Sequence, residues 1–256
     1  MTTQPRQLRR FRLLACEVLY RELCACAARA TAVVDLEFLT QGLHDLPSGE
    51  MCRRLQAQLD ASDPTRYEAI LLGFALCNNG IAGLRAPPGL PLVVPLAHDC
   101  ISLLLGSRQR YREYFDAHPG TYYLSGGWLE RDAENREPVS GTVMARLGLD
   151  RSMADLVATY GEENAAYLRE VLGGGLEKHY DTIAFINNRL GPVARYRRQA
   201  KAEARQRGFG FCELRGELGL LQRLCNGDWD ESEFLVVPPG RSIRPSHDDT
   251  VLTCAD

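Results

Sequence analysis

The sequence contains no long hydrophobic run, and no segment approaches the about eighteen apolar residues that a membrane-spanning helix needs. Its first ten residues, MTTQPRQLRR, include no apolar stretch of the kind that a signal peptide requires. The net charge of −3 gives no reason to expect a nucleic-acid partner, because binding to phosphates relies on a basic surface. We therefore expect a cytoplasmic protein that neither spans a membrane nor binds nucleic acid.

Several common cofactor motifs are missing as well. The sequence has no G-x-G-x-x-G or Walker loop, no G-x-S-x-G elbow and no H-E-x-x-H helix. It also lacks the D-x-H-x-x-G pattern by which base-off corrinoid carriers ligate cobalt. We therefore do not expect a nucleotide or a corrinoid bound through these fingerprints.

The nine cysteines are the unusual part of an otherwise average composition. In a reducing compartment a cysteine is a small buried residue, a metal ligand or a nucleophile, and its position decides which. Most of the nine lie in helical patterns, where we expect packing or surface residues, or near the chain end. Cys16, Cys77 and Cys100 are the candidates for chemistry.

Strand-like and helix-like segments alternate along the chain. Residues 11–16 form a short apolar run, and residues 67–74 form a continuous apolar run typical of a strand buried on both faces. This alternation predicts a mostly parallel sheet flanked by helices, a Rossmann-like α/β fold. Further predicted strands are 33–39, 90–96, 180–186, 208–214 and 234–237; predicted helices are 17–29, 50–61, 101–117, 152–172, 193–207 and 217–226; and residues 118–140 are predicted as an aromatic loop or lid followed by a charged linker.

Two pairs of similar segments suggest that the chain consists of two related halves. YEAI at residues 67–70 is similar to YDTI at 180–183, and LVVP occurs twice. Matches this short also arise by chance in buried strands. We expect an N-terminal α/β half, residues 1–140, which carries the candidate site, and a C-terminal α/β half, residues 141–256, packed with it as one globular unit.

Four side chains of metal-ligand type follow three of the predicted strands. Cys16 ends the first strand, Cys77 lies just past the third, and His98 and Cys100 follow the fourth. Ligands of open parallel sheets bind outside the carboxyl ends of the strands, so we expect these side chains to meet at one edge. Thiolate and imidazole favour zinc or an iron–sulfur cluster over magnesium or calcium. The pattern predicts a zinc site of Cys77, His98 and Cys100, with Cys16 as a further ligand.

A structural explanation of the same residues stays open. An H-x-C pair is common by chance, and no C-x-x-C pair is present. Cys16 and Cys77 could be small buried residues, and His98 could belong to a turn.

Two other segments could contact a bound cofactor or substrate. Asn78, Asn79 and Gly80 could present amides and backbone donors to a ligand, or could form an ordinary turn. Tyr122 and Trp128 could cover a site, or could belong to a packed loop.

Six motifs, taken together, are similar to a known family. They are LGFALCNNG at residues 72–80, AHDCISLLLGS at 97–107, PGTYYL at 119–124, GW at 127–128, YGEENA at 160–165 and GLH at 42–44. The chain resembles the bacterial and archaeal domain-of-unknown-function family 1638 over most of its length. Members of that family tend to be encoded near corrinoid-dependent methyl-transfer systems.

This resemblance implies a task for the metal site. Zinc-dependent methyltransferases that serve corrinoid proteins use an H-x-C pair and a further cysteine, and their zinc lowers the pKa of a thiol substrate. By this chemical analogy we expect a zinc-thiolate enzyme of methyl or C1 metabolism that acts on a small molecule, with a corrinoid or methyltransferase protein as partner. Two alternatives stay open: an iron–sulfur enzyme with Cys16, Cys77 and Cys100 as ligands, and a non-catalytic accessory protein that docks on a methyltransferase through the basic helix at 193–207.

Overall fold

The computed structural model of the chain describes residues 8–40, 48–77, 79–134, 180–246 and 250–255, together with residues 157, 161, 162 and 164. The strands are β1 (Arg10–Cys16), β2 (Val33–Leu39), β3 (Ala69–Gly73), β4 (Leu92–Pro95), β5 (Thr121–Ser125), β6 (Thr182–Asn187), β7 (Gly210–Arg215), β8 (Phe234–Val237), β9 (Ser242–Pro245) and β10 (Leu252–Ala255). The helices are a 3-10 turn (Glu17–Leu19), α1 (Tyr20–Ala27), α2 (Ser48–Asp60), α3 (Cys100–Leu105), α4 (Arg108–Ala117), α5 (Gly126–Glu134), α6 (Val193–Arg207) and α7 (Gly219–Asn226).

The chain forms two compact units, of which the first comprises residues 1–112 and 215–256. Its five-stranded sheet has the order β2-β1-β3-β4-β8. The first four strands are parallel, and β8 pairs antiparallel with β4. Helices α1 and α7 pack on each other, and α7 also contacts β3. The predicted α/β architecture, with parallel strands flanked by helices, is confirmed.

The apolar run of β3 explains its central place in this sheet. All five residues of β3 are buried, as expected for a strand that is covered on both faces. Its last residue, Gly73, pairs with Ala15 of β1. A Cβ atom at Gly73 would lie 2.5 Å from the Cβ of Ala15, so only glycine fits there without movement. The carboxyl ends of β1 and β3 can therefore approach closely.

The second unit comprises residues 113–214 and contains the sheet β5-β6-β7. Strands β5 and β6 are parallel, and α6 packs on β6. Leu124, Phe185 and Tyr196 belong to one buried apolar cluster that joins β5, β6 and α6. This unit is thus also built from parallel strands with a helix against them.

Many predicted elements are confirmed, and three have the predicted bounds: strands 33–39 and 234–237 and helix 193–207. Two predictions are wrong. The predicted helix 101–117 is two helices, because Gly106 adopts a left-handed conformation with φ of 75° and ends α3. The predicted loop 118–140 is wrong over residues 121–134.

That segment forms β5 and α5 instead of a loop. Thr121, Tyr122 and Tyr123 are β-branched or aromatic residues, which suit a strand, and they pair with β6. Gly126 and Gly127 occupy the first turn of α5. In the sequence alone, such a pair of glycines resembles a loop.

The similarity between the two halves is not confirmed. The YEAI and YDTI segments enter sheets of different units, at β3 and β6. The two LVVP segments pair antiparallel with each other, as β4 and β8. Because β8 returns to the first sheet, the units divide the chain at different places from the expected halves, 1–140 and 141–256. The predicted helix 152–172 lies outside the described residues, apart from residues 157, 161, 162 and 164.

The helices are short relative to a membrane. The longest that the structure describes, α6, has 15 residues, six of them arginine or lysine. Within the described parts of the chain, no helix is long and apolar enough to cross a bilayer.

Candidate thiol site at the strand ends

Three cysteines lie just past the carboxyl ends of three neighbouring strands. Cys16 is the last residue of β1, Cys77 follows β3, and Cys100 follows β4. These strands are adjacent in the order β1-β3-β4. We call Cys16, Cys77 and Cys100 the strand-end thiols.

Backbone hydrogen bonds extend the pairing of β3 and β4 as far as Cys77. The N–H of Leu76 donates to the carbonyl of Ala97, and the N–H of Cys77 donates to the carbonyl of His98, each at 2.9 Å. Cys77 itself has a positive φ of 47°. This left-handed conformation is unfavourable for a residue with a side chain, and such strained residues cluster at functional sites. The strand end at Cys77 is therefore both well anchored and strained.

A helix cap fixes the position of Cys100. Asp99 precedes α3, and its carboxylate accepts a hydrogen bond from the N–H of Ser102 at 3.1 Å. The hydroxyl of Ser102 donates to the same oxygen at 3.3 Å. This Asp cap satisfies a first-turn donor and holds Cys100 in the first turn of α3.

Cys16 is close enough to Cys77 and Cys100 to affect their ionisation. Burial raises the pKa of Cys16 to about 12. Burial likewise raises the pKa of Cys77 to about 12, and the nearby Cys16 and Asp99 add to the rise. The pKa of Cys100 lies well above its usual value, first through burial and then through Cys77 and Cys16. Without a cation beside them, all three thiols are protonated at neutral pH.

His98 does not share this environment. It is exposed, whereas Cys16 is buried and Cys77 and Cys100 are half-buried. His98 is also not among the groups that shift the pKa of the three thiols. Among the described residues, no group of three or more His, Cys, Asp or Glu side chains is arranged to hold a metal ion. The structure thus brings together Cys16, Cys77 and Cys100, and the metal site and the part of His98 in it stay predictions.

A second pair of thiols, Cys26 and Cys225, lies in the same unit. Both are fully buried, on α1 and α7, which pack on each other. Burial raises the pKa of each to about 12, and Cys26 contributes to the shift of Cys225. We call Cys26 and Cys225 the helix-packed pair. Their helical patterns predict packing residues, but the sequence does not show that they meet.

The turn after Cys77 borders an open groove of about 780 Å³. Asn79 has a positive φ of 64°, is exposed and lines this groove, while Asn78 lies outside the described residues. Gly80 has a packing role, because a Cβ atom there would lie 2.4 Å from the sulfur of Met51. The groove runs between this turn and α2, and it is lined by Gly49, Cys52, Arg53, Gln56, Ala57, Asp60, Asn79, Ala82 and Gly83. The sequence does not predict the groove, because its two walls come from separate segments that only the fold brings together.

Tyr122 and Trp128 belong to the second unit. Tyr122 lies in β5, packs against the apolar cluster of that unit and meets the ring of Tyr180 edge-on at 5.5 Å. Trp128 is half-buried in the first turn of α5. A ligand contact by either residue stays a prediction.

These features define an α/β protein with a thiol cluster at the carboxyl ends of neighbouring parallel strands. The chain belongs to the protein family of unknown function DUF1638, whose family model matches residues 38–225. The predicted family resemblance is thereby confirmed. The matched range includes Cys77, His98 and Cys100 but not Cys16. No curated protein and no solved structure matches the chain.

Proposed function

We propose that this chain is a cytoplasmic zinc-thiolate enzyme whose metal is held by the strand-end thiols. The observation that carries the proposal is that three cysteines follow three adjacent parallel strands and that Cys16 raises the pKa of both Cys77 and Cys100. Three protein ligands with one open position are the usual arrangement of catalytic zinc. His98, two residues before Cys100, is the candidate for the fourth ligand only while no substrate occupies the open position.

The topology of the sheet supports a ligand site at this edge. We propose a doubly wound, Rossmann-like arrangement, because the chain passes from β1 outward to β2 and then returns across β1 to β3. In such sheets ligands bind where the strand order reverses, here between the carboxyl ends of β1 and β3. Cys16 and Cys77 flank this position.

The ionisation of the thiols also fits a metal. Three protonated, partly buried thiols are weak nucleophiles by themselves. A bound zinc ion would deprotonate them, because metal binding to cysteine releases protons. The sulfurs have to draw closer for this, and the strained turn at Cys77 is the segment in which we place the movement.

The reaction we propose is methyl or C1 transfer. A zinc ion held by the strand-end thiols would supply Lewis acidity that lowers the pKa of a small thiol acceptor. The acceptor would lose its proton to solvent, and its sulfur would take the methyl group while the demethylated donor keeps the electron pair of the broken bond. This assignment takes up what the family resemblance implies, namely that members tend to be encoded near corrinoid-dependent methyl-transfer systems. Asn79, which lines the groove at the turn after Cys77, is the proposed substrate contact in the first unit.

The proposed partner is a corrinoid or methyltransferase protein with an acidic surface. Arg195, Arg198 and Arg205 lie on exposed positions of α6, whereas Arg197 and Arg207 pair with carboxylates. Charged faces of this kind steer association with oppositely charged proteins. Charge reversal at Arg195, Arg198 and Arg205 should abolish partner binding and leave bound metal unchanged.

Metal analysis of anaerobically purified protein tests the zinc proposal. We expect about one zinc per chain in the wild type and in a Cys26→Ala/Cys225→Ala control, since catalytic zinc takes three ligands that the control keeps. Cys77→Ser/Cys100→Ser should retain less than about a tenth of an equivalent, because one thiolate cannot hold the ion. A wild type without a transition metal, or a double serine variant that keeps it, would sink the proposal.

An iron–sulfur cluster is the second candidate. It is favoured by the finding that Cys16 and Cys77 raise the pKa of Cys100, while His98 is exposed. Iron–sulfur clusters are held by cysteines. A brown protein with absorbance near about 400 nm that is lost in air would support this candidate over colourless zinc.

A further inference from the structure

Ser125 is a buried polar residue without a partner. It is the last residue of β5, its side chain is 0% exposed, and its Oγ makes no hydrogen bond with any residue that the structure describes. A buried hydroxyl without a partner costs free energy, and native proteins keep few of them. Its presence therefore calls for a ligand or a functional reason.

The helix that follows Ser125 places backbone N–H donors next to this hydroxyl. The nine-residue helix α5 begins directly after Ser125 with Gly126 and Gly127. The first N–H groups of a helix have no acceptor within it and carry partial positive charge. A serine before a helix ordinarily accepts one of these N–H groups, but Ser125 makes no such bond. A free hydroxyl and free backbone donors thus stand side by side.

This junction lies where parallel sheets bind ligands. Strands β5 and β6 are parallel, and Ser125 pairs with Ile186 at their carboxyl ends. The start of α5 is held in place, because the ring of Tyr196 fills the space that a side chain at Gly126 would need, 2.9 Å from its Cβ position. A preformed helix start of this kind is an anion-binding arrangement.

Two described carboxylates of this unit are engaged by other groups. Glu130 of α5 accepts a hydrogen bond from the hydroxyl of Tyr196. Glu213 of β7 accepts hydrogen bonds from Arg197 and from Asn187, which ends β6. Their charge is shared with these donors, and neither of these two carboxylates accepts a hydrogen bond from the first turn of α5.

We propose that Ser125 and the backbone N–H groups of Gly127 and Trp128 bind an oxyanion, the phosphate or carboxylate of a small molecule. The hydroxyl of Ser125 donates to the anion, and the helix start supplies the other hydrogen bonds. This site belongs to the second unit and does not depend on the zinc proposal. The sequence predicts the segment Ser125–Trp128 as part of a loop or lid. In this proposal the segment is a strand–helix junction that binds a ligand.

Selective ¹⁵N labelling of glycine and tryptophan provides the test. Sodium phosphate and sodium acetate are titrated into the full chain at constant ionic strength, with chloride as the balancing salt. We expect saturable shifts of the Gly127 and Trp128 amides, while the Trp229 amide in the other unit stays unchanged. Saturation by phosphate alone supports a phosphoryl ligand, and saturation by both anions supports a carboxylate or a phosphate.

Variants of Ser125 separate binding from folding. Ser125→Ala should weaken the anion by about tenfold, because it removes a hydrogen bond to a charged group. Its melting temperature should equal or exceed that of the wild type, because the variant removes an unsatisfied hydroxyl. Ser125→Thr, which keeps the hydroxyl, should bind within about threefold of the wild type. Ser242→Ala in the other unit is the matched control and should bind like the wild type.

Three results would overturn the proposal. The first is the absence of saturable shifts in the wild type up to about 50 mM of either anion. The second is unchanged affinity in Ser125→Ala. The third is a lower melting temperature of Ser125→Ala, which would show that the hydroxyl is already bonded within the fold.

Discussion

The strand-end thiols and the helix-packed pair have the same chemistry in different surroundings. In both groups burial raises the pKa, to about 12 for Cys16, Cys77, Cys26 and Cys225. The helix-packed pair is fully buried within regular helices. The strand-end thiols follow three separate strands, and Cys77 has a left-handed backbone.

This difference shows why a raised pKa alone does not mark a functional cysteine. The helix-packed pair is explained by packing, because cysteine behaves as a small apolar residue in a core. Of the strand-end thiols, Cys77 and Cys100 are half-buried and Cys16 is buried. Cys77 lies in a strained turn that borders an open groove. Access and backbone strain, more than ionisation, distinguish the two groups.

Zinc should stabilise the fold through the strand-end thiols alone. At a free zinc concentration 100 times the dissociation constant, the free energy of unfolding should rise by about 2.7 kcal/mol. The rise should be absent in Cys77→Ser/Cys100→Ser and intact in Cys26→Ala/Cys225→Ala, as measured by urea denaturation with and without zinc. If zinc raised the free energy of unfolding equally in all three proteins, the strand-end thiols would not differ from the helix-packed pair in zinc binding.

In metal-free protein, a serine substitution should destabilise the fold more in the helix-packed pair than among the strand-end thiols. Cys225→Ser places a hydroxyl in a closed apolar site and should lower the free energy of unfolding by about 1–3 kcal/mol. Cys77→Ser should cost less than about 1 kcal/mol, because residue 77 keeps partial exposure whereas Cys225 has none. Urea denaturation in the presence of a chelator measures both values. A larger loss at Cys77 would mean that its role is structural.

Zinc binding should release protons and weaken as the pH falls. The folded thiols of Cys16 and Cys77 have a pKa of about 12, above the ordinary 9.0, so they are protonated at pH 7. Zinc has to displace these protons, and we expect about three protons per ion in the wild type and about two in Cys16→Ala. Calorimetry in buffers of different ionisation enthalpy counts them. An equal count in both proteins would exclude Cys16 as a ligand.

Removal of the helix cap beside Cys100 should have a modest effect. Asp99→Ala deletes the hydrogen bonds to Ser102 and should cost about 1 kcal/mol of stability. Asp99 also raises the pKa of Cys77 and Cys100, so its removal lowers both slightly. Thermal denaturation of metal-free protein checks the stability change. No loss in Asp99→Ala would show that the cap does not hold α3.

The sequence was sufficient to predict where the strand-end thiols lie. Apolar runs identify β1, β3 and β4, and the geometry of parallel sheets places the residues that follow them at one edge. The sequence could not show that His98 is exposed while Cys16 is buried, because side-chain direction beyond a strand end depends on the turn.

Other features depend on contacts between distant segments. Cys26 and Cys225 meet only because α1 and α7 pack together. Strand β5 was missed because a short aromatic segment before two glycines resembles a loop until β6 pairs with it. The free hydroxyl of Ser125 likewise becomes apparent only when its surroundings are known.

X-ray absorption at the zinc edge tests the central claim most directly. On protein loaded with one zinc ion, we expect three sulfur ligands at about 2.3 Å and one lighter ligand. The Cys26→Ala/Cys225→Ala variant should give the same spectrum, and Cys16→Ala should lose one sulfur. A first shell of nitrogen and oxygen alone, or three sulfurs that persist in Cys77→Ser/Cys100→Ser, would contradict a metal site at the strand ends.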